Sequence, residues 1–375
     1  MATTRSQVGS VCDATLYVGL ELSKKNWKLG LSGGFGTRPW VCTVPSGDFA
    51  AVDRACARAR QRFGLGPATA IVSCYEAGRD GFWIHRALTA RGWANRVVDS
   101  ASIEVNRRQR RTKTDRVDAQ KLVTMLVRAC CGEPDVWREV RVPTAAAEAA
   151  RHVSRERTAL KKEESRAWNQ INSWLATCGC QIARRQRTGE WWTTVRDWQG
   201  ALLPASVQQR IARTIARMRV IAEQIATVEG TQAAAVAAAP ADSALDRLVR
   251  VRGVATTSAS VLLDEGLIWR DFQNRREIGG LLGFAPAKYN SGDTEHDQGI
   301  SRAGNRRLQA ISIQLAWNWV RWQQTSALTQ WYLAKFGDHR RSRRIGIVAL
   351  ARKLLITLWR YASTGVVPTG AVLKA

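Results

Sequence analysis

Four carboxylates carry the chemistry that this sequence suggests most clearly: Glu21, Glu76, Asp115 and Asp118. Carboxylates brought together repel one another unless a divalent cation sits between them. A ligand set made only of oxygen selects a hard ion, Mg2+ or Mn2+. Paired ions of that kind activate an attacking oxygen and stabilise a leaving oxygen in phosphoryl transfer. Asp115 and Asp118 stand three residues apart in KTDRVDAQKL and so share one face of a predicted helix. Each acid also has an ordinary explanation when taken singly. A strand-end carboxylate can be a helix cap or a solvated charge, and Asp115 suits the first turn of its helix. It is as a set that the four suggest a site.

The elements that must position them can be read from the hydropathy pattern. Residues 15–23 alternate, with Leu16, Val18, Leu20 and Leu22 on one face and Tyr17, Gly19, Glu21 and Ser23 on a polar one. Residues 27–34 and 38–45 read as two further strands with Gly-rich turns, which makes an antiparallel meander. Residues 47–63 are predicted helical, 68–74 a buried strand with Glu76 at its end, 79–92 helical and 94–100 a short strand. That order of elements is the order of an α/β RNase H-like domain. In such a sheet the first and fourth strands are neighbours, and the helix bearing Asp115 and Asp118 packs over their ends.

Beyond Pro143 the pattern changes to heptads. Residues 145–176 hold no Pro or Gly and space Val153, Leu160, Ala167 and Ile171 along one stripe. Residues 203–228 repeat the spacing through Val207, Ile211, Ile215, Met218, Ile225 and Val228. The two segments are predicted to pair as an antiparallel coiled coil or to dock across a dimer. After an alanine-rich stretch ending at Pro240, residues 245–264 resemble a helix-hairpin-helix with Gly253 at the turn; it lacks the second glycine that would bring a phosphate closest. A helix near 277–284, a polar loop over 286–304, a long helix over 305–323 and a basic C-terminal helix after HRRSRR (339–344) complete a mainly α region. The expected domains are therefore 1–143, 144–239 and 240–375.

The chain has 375 residues, 57 Lys and Arg against 31 Asp and Glu, and a net charge of +26. That excess, spread over the whole length, makes a polyanion the expected partner. No apolar run reaches membrane-spanning length and the N-terminus lacks a signal-peptide core, so a cytoplasmic protein associated with the nucleoid is expected. The eight cysteines are scattered, without a C-x2-C pair and with four histidines to assist, which argues for reduced thiols and against zinc. Sixteen tryptophans are unusual. Those at 317, 319 and 322 read as helix-face core or interface residues.

Six stretches, in order along nearly the full length, resemble one family: GLELSKKNW (19–27), YEAG (75–78), KTDRVDAQKL (113–122), VRGVATTSASVLL (251–263), LLGFAPAKYNSGD (281–293) and GISRAGNRRL (299–308). The family is that of the bridge-RNA-guided transposases, or serine recombinases, of the IS one-ten insertion-sequence group. The resemblance implies an N-terminal RuvC-like domain with a D-E-D-D set, here with Glu21 in place of the first Asp, and a C-terminal transposase domain with a catalytic serine. It assigns the metal-ligand roles to Glu21, Glu76, Asp115 and Asp118, with Mg2+ or Mn2+ as cofactor.

The resemblance also makes Ser291 the nucleophile that becomes covalently joined to DNA. From the residues alone, Asn290-Ser291-Gly292 reads as ordinary turn chemistry, and a serine needs activation to attack. His296 is a candidate proton carrier, a solvated loop histidine being the plainer reading. Arg107, Arg108, Arg110, Arg111 and Lys113, then Arg302, Asn305, Arg306 and Arg307, and finally Arg340, Arg341, Arg343 and Arg344, are candidate phosphate contacts; as solvated helix faces they would need no function. The partners implied are donor and target double-stranded DNA, a structured noncoding guide RNA, and a second or fourth copy of the chain. Two rival readings remain: a metal-dependent nuclease or junction resolvase that uses water in place of Ser291, and a non-catalytic, domesticated RNA- or DNA-binding protein.

Overall fold

A computed structural model of the chain describes residues 15–103, 115–183, 186–267, 270, 272, 274–284, 286–291, 294–300, 304–337 and 339–374. They fall into two compact units, Met1–Pro143 and Thr144–Ala375.

In the first unit, alternation of apolar residues generates β1 (Thr15–Glu21), β2 (Asn26–Ser32) and β3 (Trp40–Pro45), followed by α1 (Phe49–Arg62), β4 (Ala70–Glu76), α2 (Trp83–Thr89), β5 (Ala94–Val98) and α3 (Asp115–Cys130). The sheet order is β3-β2-β1-β4-β5, antiparallel through the meander and parallel from β1 to β4 to β5. Asp48 starts α1 by accepting a hydrogen bond from the Ala51 N–H at 2.8 Å, and the helix buries Val52, Ala55 and Ala59 in a cluster with Leu16, Val18 and Leu20.

The opposite face of β1, the polar one by alternation, is also covered. Tyr17 is buried there with Cys74, Leu122, Val123 and Leu126. The reason is close approach by α3. A Cβ at Gly19 would stand 2.7 Å from the Val123 nitrogen, and one at Gly30, the register partner of Gly19, 2.3 Å from the Ala119 carbonyl oxygen. Two glycines side by side let the helix backbone lie directly on the strands.

The second unit opens with Thr144, whose hydroxyl accepts from the Ala147 N–H at 3.1 Å and caps α4 (Ala145–Thr177). α5 (Ala205–Ala237) returns alongside it. Of the two pairings left open by the heptads, the structure has the antiparallel one within a single chain. Leu160 packs on Ile225 and Val228, Ile171 and Leu175 share a cluster with Ile211 and Met218, and Arg157 donates to Glu229 at 2.8 Å. Trp191 and Trp192 are buried against the same cluster.

The rest comprises α6 (Ala244–Arg250), α7 (Thr256–Leu262), a π-turn (Leu263–Leu267), α8 (Arg275–Leu282), β6 (Pro286–Ser291), β7 (Thr294–Ile300), α9 (Arg306–Trp322), α10 (Ala327–Phe336) and α11 (Arg340–Thr364). One core joins Leu248, Leu262, Leu282, Leu308, Leu315, Trp319, Leu354 and Leu358. Trp319 is buried and donates to Ser326 Oγ at 3.0 Å, whereas Trp317 and Trp322 are exposed.

Two expectations need correction here. The polar loop over 286–304 contains an antiparallel hairpin, β6 paired with β7; its strands are polar, so the hydropathy pattern hides them. The basic cluster does not precede the last helix but forms its first turns, since α11 begins at Arg340. Among the described residues no helix is long and apolar enough to cross a membrane. The described cysteines are all free thiols; burial pushes Cys56 up to about 12 and raises Cys74 as well, which keeps both in the unreactive protonated form.

Candidate functional site

Two of the four carboxylates end adjacent strands. The β1–β4 register runs to Leu20 opposite Tyr75, so Glu21 and Glu76 are the next residues on neighbouring parallel strands. Strand alternation puts Glu21 on the side of Gly19 and Glu76 on the side of Cys74, which is the face covered by α3. Asp118 lies on that covering helix, half-buried, four residues before Leu122, which packs on Gly19. Glu21 is also half-buried and Glu76 exposed. In the β1–β2 register Lys28 stands opposite Glu21, so a cross-strand charge pairing is available to this glutamate.

The structure thus brings Glu21 and Glu76 to one sheet end and puts Asp118 on the helix over the same face. Among the described residues, no three His, Cys, Asp or Glu side chains come close enough to hold a metal ion. The side chain of Asp115, the first residue of α3, lies outside the described residues, as do Arg107, Arg108, Arg110, Arg111 and Lys113. The donor chemistry of the set, oxygen throughout, fits a hard divalent ion.

Ser291 is the last residue of β6, paired with Thr294, and His296 is paired with Tyr289. Their side chains, with those of Arg302 and Arg340, lie outside the described residues. The hairpin is framed tightly. Gly283 ends α8 in the left-handed conformation, at φ 61°. The Asn305 N–H donates to the Leu281 carbonyl at 2.9 Å, and Asn305 Oδ1 caps α9 by accepting from the N–H groups of Arg307 and Leu308 at 2.9 and 3.2 Å. Arg306, Arg341, Arg343 and Arg344 are exposed cations. Arg307 is turned partly inward, its Nε 3.7 Å from Glu265 Oε1.

Sequence reasoning missed Asp264 and Glu265. Both sit on the π-turn, and Glu265 is 1% exposed. Arg155 of α4 grips it with two hydrogen bonds, Nε to Oε1 at 2.9 Å and a terminal nitrogen to Oε2 at 3.1 Å. Burial pushes the Glu265 carboxyl up, but the bonds from Arg155 and Asn305 and the charges of Arg155 and Arg307 outweigh it and hold it below the ordinary range. Asp264 goes the other way: burial first, and the neighbouring Glu265 charge second, raise it to about 6 against the pull of Arg151 and a hydrogen bond from Ser154. Sequence reasoning also missed a shallow groove along α4, lined by Lys161, Lys162, Arg166, Asn169 and Gln170 among others. The lining residues are polar or basic by type, while most of the surface they present there is carbon of their aliphatic stems.

The Asp264 shift has a measurable consequence. Because the folded chain holds this proton to higher pH than the unfolded one, stability falls as pH rises from about 4 through about 6. Glu265 acts oppositely, but only below its ordinary 4.5. Thermal melts should therefore show the wild type gaining on Asp264→Asn as pH is lowered from about 7 to about 5. Parallel pH profiles would mean that Asp264 titrates as an ordinary exposed aspartate.

Residues 245–331 match the family model described as "Transposase IS116/IS110/IS902 family". Across 378 residues, 96% of this chain and 94% of the relative, the sequence is 40% identical to "Putative transposase y4rJ" of Sinorhizobium fredii. It is also 25% identical over 215 residues to "Transposase for insertion sequence element IS1328" of Yersinia enterocolitica, covering 57% of this chain and 62% of that one. Similarity of that extent, running through both units, makes the chain a member of the IS116/IS110/IS902 transposase family.

Proposed function

We propose that this transposase cuts and rejoins DNA through a phosphoserine at Ser291, with Glu21, Glu76, Asp115 and Asp118 as the ligands of a divalent cation on an RNase H-like (RuvC-like) domain. The observation that carries the reading is the placement of Ser291 on the last paired residue of a short β ribbon whose two ends are closed backbone to backbone. On this reading the ribbon is the stem that carries the nucleophile to a strand of DNA.

The serine oxygen attacks phosphorus, a phosphoserine ester forms, and one strand end leaves as a hydroxyl. The ester stores the energy of the broken phosphodiester bond. A second strand's hydroxyl then attacks the same phosphorus, the serine leaves, and the strands are rejoined without a nucleotide cofactor. The proton released by Ser291 passes to a nearby base, for which His296, across the ribbon beside Tyr289, is the candidate. Mg2+ or Mn2+, when bound, supplies charge neutralisation at the scissile phosphate and lowers the proton affinity of the hydroxyl. The carboxylates hold that charge, and exposed Arg306, Arg341, Arg343 and Arg344 hold the backbone.

The net charge of +26 is spread over the whole length of the chain, not gathered in one patch. It supports a second polyanion, a structured noncoding RNA that chooses donor and target DNA by base pairing. The groove of α4 is one surface suited to it. Since the serine and the carboxylates lie on different units, a dimer or tetramer completing sites in trans fits the same reading, and the protein works in the cytoplasm on nucleoid DNA. The second unit would then be a coiled-coil domain, 144–239, and a transposase domain, 240–375, in which α6, the Gly253 turn (φ 91°) and α7 form a helix-hairpin-helix.

Trapping tests this directly. Protein purified with its RNA and mixed with duplex carrying the element's ends should yield covalent protein–DNA adducts, lost by at least about 100-fold in Ser291→Ala. Adducts that persist in that variant would refute the serine. Mg2+-dependent cutting that needs Asp118 but ignores Ser291 would favour a metal-dependent nuclease instead. Tight, salt-sensitive RNA binding with no cutting at all would favour a domesticated binding protein.

A further inference from the structure

The hairpin of Ser291 leaves the fold between α8 and α9, and the two exits touch. A Cβ on Gly304 would fall 2.5 Å from the Gly283 nitrogen and 2.6 Å from the Leu281 carbonyl oxygen, so the returning chain lies on the end of α8 with no room for a side chain. The Glu265 side chain reaches this junction from the π-turn. Glu265 Oε2 accepts from Asn305 Nδ2 at 3.0 Å, on the residue that both closes the hairpin and caps α9. The π-turn can come this close because the next residue is Gly266, where a Cβ would meet Leu281 Cδ2 at 2.9 Å and Leu308 Cδ1 at 3.1 Å.

A buried carboxylate is an expensive way to fill space. Packing this junction with apolar residues of equal volume would cost the fold little, because desolvation consumes most of what a buried ion pair returns. What the carboxylate adds is direction. Two oxygens accept bonds from Arg155 on α4 and Asn305 at the hairpin root, with the Arg307 guanidinium alongside, and this arrangement defines one angle between the π-turn and the hairpin.

We infer that Glu265 is a positioning residue for Ser291: through Asn305 it sets the direction in which the β6–β7 hairpin presents the serine to DNA. The inference rests on Ser291 being the nucleophile. It identifies a residue that acts without touching DNA, and it ties the aim of the hairpin to α4 through Arg155.

The test uses the full chain and two variants. Glu265→Gln keeps an oxygen for Asn305 but loses the charge. Asn305→Ser keeps a side chain able to cap α9 but cannot reach Glu265. Both should slow Ser291-dependent adduct formation on element-end duplex by at least about tenfold, a loss of roughly 1.4 kcal/mol of transition-state stabilisation, and Glu265→Gln should do so at unchanged DNA affinity. Amide hydrogen exchange should quicken by about tenfold over 286–300 while α9 and α11 keep their protection. Wild-type adduct rates in both variants, or protection lost evenly across residues 144–375, would overturn the inference and leave Glu265 a structural residue. If adducts survive Ser291→Ala, it is the serine reading that has failed, and the exchange pattern alone then decides whether Glu265 holds the hairpin.

Discussion

Gly30→Ala is expected to destabilise the first unit by about 3 kcal/mol or more, the upper range for forcing volume into a packed interior. The new methyl group would stand 2.3 Å from the carbonyl oxygen of Ala119 and 2.9 Å from its carbonyl carbon. Neither atom can rotate away, because both belong to the backbone of α3. Relief requires α3 to rise off β2, and that motion would strip Val123 from Gly19 and carry Asp118 away from the sheet end where Glu21 and Glu76 lie. Urea titration followed by tryptophan emission would measure the loss, Trp27 being buried in this unit. A variant as stable as the wild type would mean that α3 does not lie so close. DNA cutting should fall further than stability alone explains, because the helix moved is the one that carries two of the proposed ligands.

Asp118→Asn should leave the fold intact and remove the chemistry. The side chain is half-buried in the opening turns of α3, and asparagine matches its shape, so the expected change in stability is within about 1 kcal/mol. A neutral amide is a poor ligand for a hard divalent ion and does nothing to balance its charge. On the reading proposed above, DNA cutting at saturating Mg2+ should drop by at least about 100-fold, and excess Mn2+ should recover part of it. Unchanged cutting would remove Asp118 from the site and reduce the carboxylate set to strand-end charges.

The first unit was readable from sequence because its residues obey one period at a time. Leu16, Val18 and Leu20 alternate with Tyr17 and Gly19, and the meander followed by alternating helix and strand admits few sheet orders. Alternation could not tell that the second face of β1 is covered, since glycine marks a close approach only after the neighbouring helix is known. The β6–β7 hairpin escaped for a different reason. Lys288, Asn290, Glu295 and Asp297 give its strands no apolar stripe, and the only signal was the pair Gly292-Asp293 between two polar runs of strand length. Glu265 was illegible in a stronger sense. Beside Asp264 in LLDEGL it looks like a solvated acid, and what holds its charge in place is an arginine 110 residues earlier in the chain. Of the candidate phosphate contacts, Asn305 and Arg307 looked alike in sequence, yet their geometry engages them with Glu265. Of the four carboxylates singled out by residue type and strand order, two end adjacent strands.

The pairing of α4 with α5 has a mechanical side. Each helix has 33 residues, about 50 Å of length, and α4 is fastened near its start where Arg155 meets Glu265. From Arg155 to Thr177 the arm is about 33 Å long at 1.5 Å per residue. Pushing the far end sideways by about 3 Å turns such an arm by about 5°, and the turn is delivered at a half-exposed guanidinium whose buried carboxylate partner is shared with Asn305. The helix pair is therefore a lever with its fulcrum beside the root of the serine hairpin: any load borne at its tip is felt as torque where the hairpin is held.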